Sequence, residues 1–189
     1  MKNLFKLLLI FGYLSFSCVY FNTFYNAENS YKKALVVIEE SPILEDDKFP
    51  NQAKKLLGEA IDNSKIVLKK YPESKYVDDA MFIIAKASFL RGESAVAESY
   101  FKQLLREYPD SKYCELTEIW LAYTFLRMDL IEKAKNKIDM IILKNYQDKE
   151  KKYLIYNILA EIRSIEENFV EVYYNYEKAV EFAPTKSKQ

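Results

Sequence analysis

Tyr71-Pro72-Glu73-Ser74-Lys75-Tyr76 recurs as Tyr108-Pro109-Asp110-Ser111-Lys112-Tyr113, an interval of 37 residues. A fixed period of this size marks stacked supersecondary units, because one unit cannot bury its apolar face alone. Between the two hexapeptides the apolar residues fall at helical spacing. They run first through Ala80, Phe82, Ile83, Ile84, Ala87 and Leu90, then through Ala97, Phe101, Leu104 and Leu105, with Gly92 between the stretches. The unit therefore reads as helix, tight turn, helix, and a proline-marked loop that opens the next pair.

Working outward, the next unit supplies Ala122, Ala134, Ile138 and Ile141, with Tyr146 where the proline would stand. A further unit supplies Ala160, Val172, Tyr176, Ala179 and Pro184. Asp129 with Glu132, and Asn168 with Glu171, have the spacing of capping boxes. Upstream, Phe24 to Glu40 carries an apolar face through Ala27, Tyr31, Ala34 and Ile38. Gln52 to Tyr71 carries another through Leu56, Ala60, Ser64, Val67 and Leu68. These two form an N-terminal pair around the acidic loop Ser41 to Pro50. Gly58 sits inside the second helix, where it costs up to ~1 kcal/mol relative to alanine, and close packing is the expected reason.

This spacing resembles the tetratricopeptide repeat. Ala85 and Ala97 match the small positions where two helices cross, Phe101 the aromatic position and Pro109 the closing proline. The resemblance implies an all-α, tetratricopeptide-like right-handed solenoid of antiparallel helix pairs over residues 51–184, followed by a polar tail at 185–189. The first helix of each pair would line a concave surface. Its expected partner-binding residues are Phe82, Lys86 and Phe89, then Ile119, Tyr123 and Arg127, then Asn157 and Glu161. Rings supply contact area at low entropic cost and isolated charges fix register, although aromatic residues at this spacing also serve as core between repeats.

The start of the chain has the architecture of an export signal. Lys2 and Lys6 precede or enter the apolar run Leu7 to Leu14, and Ser15 and Ser17 are small residues suited to cleavage. The run is shorter than the ~18 residues a spanning helix needs. Residues 1–17 are thus expected to be a signal peptide, with 18–50 holding Cys18, a helix and the acidic loop. Leu14-Ser15-Phe16-Ser17-Cys18 resembles the lipobox of bacterial lipoproteins, which implies acylation of Cys18; the other reading is that Cys18 opens a secreted chain. Tyr20, Phe21, Phe24 and Tyr25 either lie at a lipid interface or fill the first helix pair. Tyr173, Tyr174 and Tyr176 read as a capping face of the last helix or as a stacking site.

Anchor signal and repeats together resemble the tetratricopeptide outer-membrane lipoproteins of the BamD type, and secondarily the repeat domain of the Tol-Pal coordinating protein. The resemblance implies a non-catalytic scaffold at the periplasmic face of the outer membrane, binding envelope proteins such as the β-barrel assembly machinery. Another cell-envelope adaptor, or an envelope ligand-binding or hydrolytic protein, are the alternatives.

Composition narrows the chemistry. The 189 residues hold 28 Lys+Arg against 28 Asp+Glu, no histidine, two cysteines and three glycines. The commonest general base and transition-metal ligand is absent, and a neutral chain exerts no general attraction on nucleic acid. No catalytic residue, metal or cofactor is expected. The carboxylate pairs Glu39-Glu40, Asp46-Asp47, Asp78-Asp79 and Glu166-Glu167 lie at loops or helix ends among lysines, where they read as solvated surface. Arginine occurs only at Arg91, Arg106, Arg127 and Arg163, few for phosphate recognition. Cys114 reads as a small packing residue rather than a reactive thiol.

Overall fold

A computed structural model describes residues 22–41 and 50–183. Within them every regular element is an α-helix: α1 (22–40), α2 (Asn51–Lys70), α3 (Val77–Leu90), α4 (Ser94–Glu107), α5 (Cys114–Arg127), α6 (Ile131–Ile142), α7 (Lys149–Ile165) and α8 (Phe169–Phe182). The chain divides into two compact units, residues 1–93 and 94–189. It is an all-α chain of tetratricopeptide-like helix pairs.

In the first unit α2 packs on α3, and Phe24 of α1 joins Ala60, Val67, Ala80 and Ile83 in one core. The Phe24 ring stacks on Tyr76 with centroids 4.5 Å apart, so this aromatic fills the helix pair, whereas Tyr25 is exposed. Tyr20 and Phe21 lie outside the described residues, as do Cys18 and the acidic pair Asp46-Asp47. The buried face of α2 runs through Ala53, Leu57, Ala60, Ile61, Ser64 and Val67; Leu57 holds the core position the spacing assigned to Leu56. Gly58 has its close approach, made by a side chain: a Cβ there would meet Arg91 Nη1 at 2.9 Å, and that nitrogen donates to the Lys54 carbonyl at 2.9 Å. α3 is buried from Asp79 through Ser88 without a break.

The second unit stacks in sequence, α4 on α5, α5 on α6, α6 on α7 and α7 on α8, with α5 also touching α7. Ala97, Phe101, Ala122, Ala134, Ile138 and Ala160 are all buried, as close helix crossings require.

Each hexapeptide folds the same way. The Ser74 N–H donates to the Tyr71 carbonyl and the Val77 N–H to the Ser74 carbonyl; Ser111 with Tyr108 and Cys114 with Ser111 repeat this. The serine hydroxyls accept the N–H two residues on, at Tyr76 (2.9 Å) and Tyr113 (3.2 Å). Proline occupies the second position of a four-residue turn, where its fixed φ is suited. Cys114 Sγ lies 3.2 Å from the Tyr108 carbonyl, which makes it a local donor to the loop.

The turns within the pairs also share one design. After α3, Gly92 takes φ +81°, its N–H donating to Phe89 O and that of Glu93 to Ser88 O. This is the Schellman arrangement. Asp129 (φ 59°) and Glu167 (φ 56°) repeat it after α5 and α7. Asp129 is therefore a helix-ending residue and not the N-cap its spacing with Glu132 suggested; Leu130 caps α6 without a side-chain bond. The Asn168 capping expectation holds, since its side chain accepts the Glu171 N–H at 3.3 Å.

Candidate functional site

Helix burial separates the eight expected contact residues. In the first unit Phe82 and Lys86 are buried, each at 9% exposure, and Phe89 is half-buried. In the second unit Ile119 is fully buried at 0% and cannot meet a partner. Ile119 does not stand on an outward face of α5, a helix that packs against α4, α6 and α7. Phe82 and Lys86 likewise do not stand outward, because α3 is enclosed around its circumference. Asn157 is half-buried, and its amide donates to the Tyr153 carbonyl one turn back at 2.8 Å.

Tyr123, Arg127 and Glu161 do come together. The Tyr123 hydroxyl on α5 donates to the Glu161 carboxylate on α7. Arg127, one turn further along α5, sets its guanidinium 5.5 Å from the Tyr123 ring centroid. Trp120 stacks on the Tyr123 ring, with centroids 5.8 Å apart. Burial, then the charge and hydrogen bond of Glu161, push the Tyr123 phenol far above its ordinary range against a smaller opposing pull from Arg127. The phenol stays protonated and serves as a donor rather than a base. Tyr176 of α8 stands close enough that burial, followed by the Glu161 charge, raises its phenol too.

The arrangement is a half-buried tyrosine with an exposed guanidinium at its edge and Trp120, itself buried at 9% exposure, behind it. Such a guanidinium offers a planar fork of donors suited to a carboxylate. Two members, Trp120 and Tyr176, were not among the expected contacts. Trp120 is the chain's sole tryptophan and lies three residues before Tyr123, a spacing that would have flagged it.

A separate cavity of about 140 Å³ is bordered by Ile141, Tyr146, Ile155, Tyr156 and Leu159 and is mainly apolar. Among the described residues no cluster of three or more His, Cys, Asp and Glu side chains could hold a metal ion, and no helix is long and apolar enough to cross a membrane.

The tetratricopeptide repeat family model matches residues 79–111. The match takes in most of α3, all of α4 and the loop up to Ser111. No curated protein matches the chain. Tetratricopeptide repeats are protein-interaction modules, and that is the kind of surface the helix pairs of this chain present.

Proposed function

We propose that this chain is a non-catalytic scaffold of the cell envelope that binds a partner peptide through the α5–α7 face. The observation that carries it is the Tyr123–Arg127–Glu161 cluster, backed by the buried Trp120, which sets one half-buried ring beside one exposed cation on two neighbouring first helices. The ligand chemistry this favours is an extended segment bearing a carboxylate for Arg127 and an apolar side chain for the Tyr123 ring. Placement at the outer membrane rests on the export-signal character of Lys2 to Ser17 and on acylation of Cys18. The β-barrel assembly machinery is the proposed partner because anchor signal and repeats occur in the same chain.

A mild-crosslinking pull-down from detergent-solubilised native membranes, with the mature N terminus read by mass spectrometry, tests location and partner in one sample. Recovery of an assembly subunit together with an acylated Cys18 is the expected result. Arg127→Ala should reduce recovery about tenfold while leaving the helical signal unchanged. An unmodified soluble chain without envelope partners would sink the envelope role. Equal recovery with Arg127→Ala and Tyr123→Ala would sink the binding face.

A further inference from the structure

The last helix carries an exposed apolar ridge, one position of which is buried on the other second helices. Counting from the left-handed residues Gly92, Asp129 and Glu167, Tyr176 occupies the position of Phe101 on α4 and Ile138 on α6. Phe101 and Ile138 are fully buried, and each lies on a helix that packs against the first helix of the next pair, α5 and α7 respectively. On α8 the equivalent Tyr176 is exposed. Phe169, Tyr173, Tyr176 and Val180 recur at intervals of four, three and four residues and form one stripe. Phe169 is 71% exposed, Tyr173 72% and Val180 75%. A contiguous row of this kind marks an interaction surface rather than scattered surface hydrophobes.

Charge specifies the occupant. Glu177 and Glu181 fall beside the stripe on its solvent side, and from Glu166 to Ala183 there are five glutamates against the single Lys178. Lys178 is engaged with Glu181 at 2.9 Å. The helix that follows α6 and packs against it is α7, whose Lys149, Lys151, Lys152 and Arg163 outnumber Glu150 and Glu161. We infer that α8 is a docking surface for a basic amphipathic helix of a partner protein, seated where the first helix of a following pair would pack. The apolar ridge of the incoming helix buries Phe169, Tyr173 and Val180, and its lysines or arginines meet Glu177 and Glu181.

This surface meets the proposed Arg127 face at Tyr176, and substitutions that spare Tyr176 test it separately on the full chain. The probe is a fluorescein-labelled model helix of leucine and lysine with the length of α8, its counterpart of leucine and glutamate serving as control, both followed by anisotropy. The lysine helix should bind and the glutamate helix should not. Tyr173→Asp with Val180→Asp should weaken binding at least about tenfold with unchanged circular dichroism, since both side chains are mainly solvated. Glu177→Lys with Glu181→Lys should reverse the preference between the two probes, and Arg127→Ala should leave it intact. Absence of binding, equal binding of both probes, or binding indifferent to the α8 substitutions overturns the inference. So does concentration-dependent self-association abolished by Tyr173→Asp, which would assign the ridge to a second copy of the chain.

Discussion

Gly58 shows how one position can be held by a side chain distant in sequence. A mid-helix glycine forgoes roughly 1 kcal/mol relative to alanine. Here an added methyl would meet the Arg91 guanidinium at 2.9 Å and disturb its bond to the Lys54 carbonyl. Gly58→Ala alone should therefore change stability by less than about 0.5 kcal/mol, gain and loss nearly cancelling. In an Arg91→Ala background the same substitution should stabilise by about 1 kcal/mol. A double-mutant cycle in urea measures the coupling, and additivity would show that the guanidinium is not what keeps the glycine. The need for close packing at Gly58 was readable from a glycine inside an amphipathic helix. The identity of the neighbour was not, because Arg91 lies 33 positions away.

At the scale of elements, the three equivalent turns use three different residues at one backbone conformation. Gly92 adopts the left-handed region freely, whereas an L side chain there costs about 1 kcal/mol or more. Asp129 has a short polar side chain that tolerates the region; Glu167 lacks that property. Glu167→Gly should raise stability by about 0.5 kcal/mol, part of the relief being offset by the larger entropy of glycine in the unfolded chain. A shift of the urea midpoint at unchanged slope would register it, and a fall in midpoint would mean that the Glu167 side chain contributes something the turn requires. The hexapeptide loops were legible because Pro, Ser and spacing specify the turn by local bonds. Asp129 was misread as an N-cap for a related reason: aspartate suits both a helix start and a left-handed helix end, and only the backbone distinguishes them.

For the whole molecule, titration should be silent where most proteins respond. With no histidine, no side chain has an ordinary pKa between about 5 and 8. On the acid side Glu118 carries a consequence. Burial raises its carboxyl, but hydrogen bonds and charge from Lys144 and Lys137 more than offset this and hold it below its ordinary 4.5. A depressed carboxyl contributes stability above its unfolded value and loses it as pH falls through the folded one. On the alkaline side Tyr123, held protonated by its burial and by Glu161, contributes below pH 10 and loses that contribution as pH rises beyond it. Thermal melting should thus be flat between about pH 5.5 and 8 and fall below about 4.5 and above about 10. Glu118→Gln should flatten the acid limb, and a melting step near pH 6.5 in the unmodified chain would contradict this account.

The local and periodic part of this protein is legible along the chain: eight helices among the described residues, their loops, the small residues at their crossings and the lack of histidine chemistry. Hydrogen bonds within a turn and apolar spacing at the helical period are functions of neighbouring residues, so they are written in order along the chain. Which side of each first helix remains accessible was decided only in the tertiary structure. Periodicity yields one apolar face per helix, whereas α5 touches three neighbours, which sends Ile119 and Trp120 into the core and leaves Tyr123, beside Arg127, to meet Glu161 from another helix. The exposure of the α8 ridge has the same origin, since an apolar stripe reads identically in sequence whether or not another helix lies against it.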